Sequence, residues 1–152
     1  INIYSETLSM YTYFDLDQCK QYLKAKPVYT FKQISKNSIY ASKRPDEPLR
    51  QVDWNNPITL VQTIGDYEYL VIDGNHRYKN AIRQCLNIPM KCIFYEEIEP
   101  KFFLNDFNFI LFMFKNEYFR ILSLCYGNYP IDIIKSQIND SISKTLYLLE
   151  EK

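Results

Sequence analysis

The chain has 152 residues, which is enough for one compact domain with a core of its own. Hydrophobic residues make up 47% of the sequence and aromatic residues 16%, which excludes an intrinsically disordered chain. Basic and acidic residues both number 18, so the zero formal net charge argues against a protein that holds long nucleic acid by bulk charge.

The amino-terminal third predicts one short helix and one strand. Asp15 and Gln18 have the spacing of a capping box, and they predict a helix that runs to about Ala25 before Pro27. Residues 28–34 are rich in aromatic and β-branched side chains, which predicts a strand.

The polar stretch from Lys36 to Asn56 predicts mostly irregular structure, with Trp54 as an apolar anchor. Its acidic residues Asp46 and Glu47 are candidates for a general base or a metal ligand if the loop folds over a site. A solvated charged loop is the alternative reading of this segment, which also contains Lys43, Arg44 and Arg50.

A hairpin and a helix form the best-defined part of the sequence. Residues 58–63 predict a strand in which alternate side chains, from Ile58 to Thr63, point to opposite faces. Gly65-Asp66 marks a turn, and residues 67–72 predict the partner strand. The helix should run from Asn75 to Leu86 and end at a left-handed Asn87. The next strand, over residues 90–95, should lie parallel to its predecessor through a right-handed crossover.

The side chains of this helix divide into a buried and an exposed set. The pattern predicts that one side of the helix is buried, with Tyr78, Ala81, Ile82 and Cys85. It predicts that the other side faces solvent, with Lys79, Asn80 and Arg83.

Two helices are predicted after Pro100, over residues 101–124 and 132–149. The longest uninterrupted apolar run of the first, Phe109 to Phe114, is far shorter than the roughly 20 residues that a membrane helix needs. The second has an apolar stripe that we expect to be core, with self-association as the alternative: Ile134, Ile138, Ile142, Leu146 and Leu149.

Cysteine usage and the first ten residues bear on the cellular compartment. No pair of cysteines has C-x-x-C or zinc spacing, so all four are expected to be small core residues of a reduced protein: Cys19, Cys85, Cys92 and Cys125. Residues 1–10 lack the basic start and apolar run of a signal peptide, and we expect a cytoplasmic protein.

The segment Asp73-Gly74-Asn75-His76-Arg77 carries the clearest functional pattern. It joins a predicted strand to a predicted helix, and His76 is the only histidine in the chain. A helix amino terminus offers unpaired N–H groups and partial positive charge, and Gly74 lets an anion approach the backbone. The pattern predicts a site for phosphate or another compact anion.

Residues 56–96, which include NPITLV and YEYLVIDGNHRYKNAIRQCLNIPMKCIFYE, resemble the ParB/sulfiredoxin-like fold family. Members show a proline-isoleucine strand, a hairpin, a G-x-H-R or G-x-R-R helix start, then an isoleucine-proline pair and a strand. The resemblance implies a phosphate-handling site, as in nucleotide-hydrolysing partition proteins, ATP-using sulfiredoxins and free-serine kinases.

Carried over to this chain, the resemblance implies that Gly74 is the turn glycine and Asn75 the variable position. It implies that His76 and Arg77 contact phosphate and that Tyr78 packs behind them. We therefore expect the side chains of His76 and Arg77 to be exposed. Sulfiredoxins place a catalytic cysteine where this chain has Asn75, so sulfinic acid reduction is not expected. Chromosome partition is not expected either, because a His-Arg pair replaces two arginines and the remaining residues are too apolar for a helix-turn-helix domain.

Each residue of the motif also has an ordinary structural role. Gly74 suits any turn, Asn75 any helix cap, His76 packing or capping, and Arg77 a surface salt bridge. Asp73 is a candidate acid that orients His76, binds a nucleotide's metal or caps the turn. A carboxylate that faces the pocket would repel free phosphate, so in that case we expect a nucleotide with Mg²⁺.

We therefore predict a single α+β domain with a small, partly parallel sheet, a core over residues 28–96 and a helical extension over 101–150. The predicted function is binding of ATP or another nucleotide with Mg²⁺, with phosphotransfer or hydrolysis as a conditional step. One alternative is a DNA-binding module with a basic face of Lys79, Arg83 and Lys91; another is a scaffold or homodimer built on the carboxy-terminal helices.

Overall fold

A computed structural model describes residues 12–42 and 53–150, without the side chains of residues 148 and 149. The predicted α+β class is confirmed. The main elements are α1 Leu16–Leu23, β1 Ile39–Tyr40, β2 Ile58–Gln62, β3 Tyr69–Asp73, α2 Asn75–Arg83, β4 Met90–Ile93, α3 Asp106–Tyr126 and α4 Ile131–Glu150. Short 3₁₀ turns lie at Lys36–Ser38, Tyr95–Glu97 and Pro100–Phe102.

The four strands form one mixed sheet in the order β1-β3-β2-β4. The hairpin partners β2 and β3 are antiparallel, whereas β1 is parallel to β3 and β4 is parallel to β2. The prediction that β4 lies parallel to β3 is therefore wrong. Because β2 lies between them, β3 and β4 run in opposite directions, and the crossover rule for parallel neighbours does not apply.

The sheet is covered on both faces, so all four residues from Ile58 to Val61 are buried. Leu60 belongs to a core under α2, together with Tyr78 and Ala81. Val61 belongs to a second core, formed with α1, α3 and the aromatic segment at residues 102–103. Burial on both faces explains why the alternating pattern of residues 58–63 does not produce an exposed side of β2.

The start of α1 is as predicted, because the Asp15 carboxylate accepts a hydrogen bond from the Gln18 N–H at 3.2 Å. The predicted strand over residues 28–34 is wrong. Only Tyr29 pairs, in an isolated bridge with Met90, and the chain then turns as the Ile34 N–H donates to the Thr30 carbonyl at 3.0 Å. A local hydroxyl–backbone turn competes with the extended chain here.

Part of the segment predicted to be irregular is ordered. Residues 39–40 form β1, which pairs with the edge of β3 through Ile39 and Tyr69. Trp54 packs against the core under α2, in line with the predicted anchor. Asp46, Glu47, Lys43, Arg44 and Arg50 lie outside the described residues.

The end of α2 differs from the prediction. The helix ends at Arg83, and Cys85, not Asn87, adopts the left-handed conformation, with φ of 54°. Cys85 is consequently exposed rather than buried. Asn80, which is predicted to face solvent, is only 2% exposed, so α2 is buried over more of its surface than a two-sided helix pattern implies.

The two predicted carboxy-terminal helices are present, although α3 begins at Asp106 and not at residue 101. The stripe on α4 is not core. Ile138, Ile142 and Leu146 are exposed, and Ile134 is only half-buried. The side chain of Leu149 lies outside the described set. Cys19 and Cys92 are buried as expected, whereas Cys125, like Cys85, is exposed.

Candidate functional site

The candidate site lies where β3 ends and α2 begins. Gly74 is the N-cap of α2, with φ of +88°, a left-handed conformation that favours glycine. A Cβ at this position would lie 2.6 Å from Ile58 Cγ2 and 2.9 Å from Arg77 Nη2. The glycine is therefore needed both for the turn and for the close packing of β2 against the helix start.

The backbone N–H groups of the first turn of α2 are not capped by a side chain at the N-cap. The N-cap residue of a helix is most often Ser, Thr, Asp or Asn, whose side chain accepts a hydrogen bond from these donors. Gly74 has no side chain that could accept from these donors, and the partial positive charge of the helix dipole lies at the same end.

Asp73 lies between two cations. Its Oδ2 is 3.0 Å from Lys20 Nζ of α1 and 3.3 Å from Arg77 Nη2. The carboxylate is thus paired within the protein and does not require a metal ion to neutralise it. Mg²⁺ was expected in the case that an unpaired Asp73 carboxylate faces the pocket. In the structure this carboxylate is paired with Lys20 and Arg77.

Arg77 is mostly buried, with 15% of its side chain exposed. Its Nη1 donates to the carbonyl oxygens of Asn56 and Pro57, the second at 3.3 Å, and Nη2 donates to Asp73. The expectation of an exposed guanidinium is wrong. These contacts attach the chain before β2 to the start of α2, so Arg77 positions the site.

Asn75 joins three segments. Its Oδ1 accepts from the Ser42 N–H at 2.8 Å, and its Nδ2 donates to the Val71 carbonyl at 3.4 Å. The side chain therefore holds the chain that follows β1 against the end of β3.

His76 is half-buried, and its Nε2 is fully buried without a hydrogen-bond partner. The expectation of an exposed imidazole is wrong for this atom. Asn80, one turn further along the same face of α2, has an Nδ2 in the same condition. A buried polar atom without a partner costs about 1–3 kcal/mol, so two such atoms on one face are unusual.

The buried thiols are poor candidates for chemistry. Burial raises the pKa of Cys19 to about 12, with the nearby Asp15 adding to the effect. Burial also raises the pKa of Cys92 to about 12. Both are protonated at neutral pH, and a thiol rather than a thiolate is a weak nucleophile.

Three residues lie around the motif but are not predicted from the sequence to belong to the site: Lys20, Ser42 and Asn80. Lys20 and Ser42 lie 53 and 31 positions before Asp73 and carry no pattern that links them to it. Only the folded chain brings α1 and the end of β1 to this edge of the sheet. In residues 12–42 and 53–150 no cluster of three or more His, Cys, Asp or Glu could hold a metal.

Comparisons with protein-family models, with curated proteins and with solved structures gave no match to this chain. The likeness of residues 56–96 to the ParB/sulfiredoxin-like fold thus remains a resemblance of motif. Across the described residues, none of the helices combines the length and the apolar character needed to cross a membrane.

Proposed function

We propose that this protein binds the phosphate groups of a nucleotide or a similar small molecule at the amino terminus of α2. The observation that carries the proposal is a helix start without a side-chain cap, opened by a left-handed Gly74, next to a histidine nitrogen that lacks a partner. Helix amino termini of this kind are common phosphate sites.

The charges around the site favour an anion. Asp73 contributes one negative charge, while Lys20 and Arg77 contribute two positive charges within 3.3 Å of it. The helix dipole adds the equivalent of about half a positive charge at the same end. The neighbourhood is therefore positive even though the whole chain is formally neutral.

The residues of the motif take different parts in this proposal. The N–H groups of Asn75 and His76 donate to phosphate oxygens, and the His76 ring turns so that Nε2 donates to the same group. Arg77 holds the helix start in place and adds charge without direct contact. Phosphoryl transfer or hydrolysis would be a further step, with His76 beside the phosphate and Asp73 as the nearest acid.

The experiment is isothermal titration of the 152-residue chain with inorganic phosphate, ADP and ATP, the nucleotides each with and without Mg²⁺. His76→Ala should weaken phosphate binding at least tenfold, because hydrogen bonds to charged groups contribute about 1.5–3 kcal/mol. Arg83→Ala is the matched control, since it removes one cation from the exposed far end of the same helix. Absence of binding by the unaltered protein, or equal losses in both variants, would refute the proposal.

The alternative of a DNA-binding face is weakened by the position of Lys91. Its Nζ donates to the carbonyl oxygens of Leu23 and Lys24 at 2.7 and 3.1 Å, so it caps the end of α1. The basic face predicted from Lys79, Arg83 and Lys91 thus loses one of its three members.

A further inference from the structure

Helix α4 leaves its apolar stripe uncovered. Ile138 is 37% exposed, and Ile142 and Leu146 are each 52% exposed. Among the side chains of α4 that the structure describes, only Ser141 is buried. A 20-residue helix in water draws most of its stability from packing of an apolar face, and here the apolar face is not the one that packs.

The face of α4 that packs on α3 is polar instead. Arg120 of α3 donates to Gln137 at 2.7 Å and to Ser141 at 3.1 Å, and it pairs with Glu117 at 2.7 Å. The Ser141 hydroxyl donates to Glu117 in turn. This network fixes the rotation of α4 about its own axis, and that rotation leaves the isoleucine stripe along the open edge of the α3–α4 pair.

The exposed stripe forms one wall of a groove between the two helices. The groove has a volume of about 260 Å³, and its apolar walls come from Phe114, Tyr118 and Ile121 of α3 and from Ile138, Ile142 and Leu146 of α4. Phe114, at 53% exposure, continues the apolar surface across the groove. The groove runs between two antiparallel helices of nearly equal length.

We propose that a second copy of this chain covers the groove, so that two α3–α4 hairpins form a four-helix bundle. With about 200 Å² per large side chain, Phe114, Ile138, Ile142 and Leu146 together expose roughly 400 Å². A standard interface takes about 800 Å² from each partner, a little over half of it apolar. The apolar area available is close to what such an interface uses.

The charges on α4 favour an antiparallel arrangement of the two copies. Lys135 and Glu150 are exposed and lie seven residues before and eight residues after Ile142. Antiparallel helices centred on Ile142 place each Lys135 near Glu150 of the other copy, whereas parallel helices would place the two lysines together. The result is a two-fold symmetric contact in which the same surface serves both chains.

The test is the mass of the 152-residue chain by size-exclusion chromatography with light scattering, over about 1–200 μM. The expected mass is twice the 18.3 kDa of one chain. Ile142→Glu should raise the dimer dissociation constant at least a hundredfold, because it places charge at the centre of the apolar contact. Ile133→Glu is the matched control: it is the same substitution at 46% exposure, nine positions away and so about half a turn around α4.

Several results would overturn the proposal. They are a monomeric unaltered protein at 200 μM, equal effects of the two glutamate variants, or a monomer that binds lipid vesicles or a different protein through this groove. Circular dichroism of each variant separates dissociation from unfolding.

Lys135→Glu should weaken the dimer by up to about tenfold, and adding Glu150→Lys should restore it; failure of the rescue would exclude the antiparallel arrangement. The proposal does not depend on phosphate binding at α2.

Discussion

Replacement of Gly74 with alanine is expected to destabilise the protein by roughly 2–5 kcal/mol. The backbone at this position has φ of +88°, where an L side chain costs about 1–2 kcal/mol. The new Cβ would also lie 2.6 Å from Ile58 Cγ2, and overpacking a core costs about 1–3 kcal/mol more. Ile58 is fully buried and Arg77 is held by two carbonyl oxygens, so neither neighbour moves freely.

The loss can be measured by urea denaturation at 25 °C, followed by circular dichroism. We expect a lower midpoint with an unchanged slope, because the extent of the folded structure stays the same. For a chain of this length, the same loss lowers the melting temperature by roughly 4–20 °C.

A matched control and a double-mutant cycle isolate the two contributions. Gly127→Ala should cost less than about 1 kcal/mol, because Gly127 has φ of −79° and the nearest atoms belong to the exposed ring of Tyr129. Ile58→Ala combined with Gly74→Ala should recover about 1–2 kcal/mol relative to additivity, since it removes the closest contact. A loss below about 1 kcal/mol for Gly74→Ala, or strict additivity, would refute this account of the helix start.

Two further perturbations follow from the same contacts. Arg77→Ala should destabilise the protein by about 2–4 kcal/mol in urea denaturation, because it leaves the carbonyl oxygens of Asn56 and Pro57 without this donor and leaves Asp73 with Lys20 alone. A change below about 1 kcal/mol would show that the guanidinium has no structural role. The hydrogen bond from Arg120 lowers the pKa of Glu117 against the opposing effect of burial, so the carboxylate stabilises the fold above about pH 4.5 and loses that contribution as pH falls through the lowered value. Melting curves from pH 7 to 3 should fall more steeply for the unaltered protein than for Glu117→Gln, and parallel curves would contradict the assignment.

Local patterns in the sequence were sufficient for the ends of several elements. The Asp15 cap, the β2–β3 hairpin, the start of α2 after Gly74 and the two carboxy-terminal helices depend on residues a few positions apart. Capping, turn formation and helical periodicity act over that distance, so they can be inferred before the fold is known.

The contacts that individual side chains of the candidate site make depend on segments that are distant in the sequence. The Arg77 guanidinium turns inward because the carbonyl oxygens of Asn56 and Pro57 lie beside it, and the charge of Asp73 is paired because α1 brings Lys20 to within 3.0 Å. Neither neighbour can be found from the motif alone. The motif thus predicts a phosphate site, whereas the contacts show that Arg77 attaches the chain before β2 to the start of α2.

The α+β class and the location of a glycine-opened helix start can be inferred from the amino-acid sequence, because propensity, capping and turn chemistry are local. The pairing of β4 with β2, the turn within residues 28–34 and the exposure of the isoleucine stripe on α4 depend on tertiary contacts. Strand order and helix rotation are set by which surfaces meet, and the free energy of those contacts comes from residues far apart in the chain.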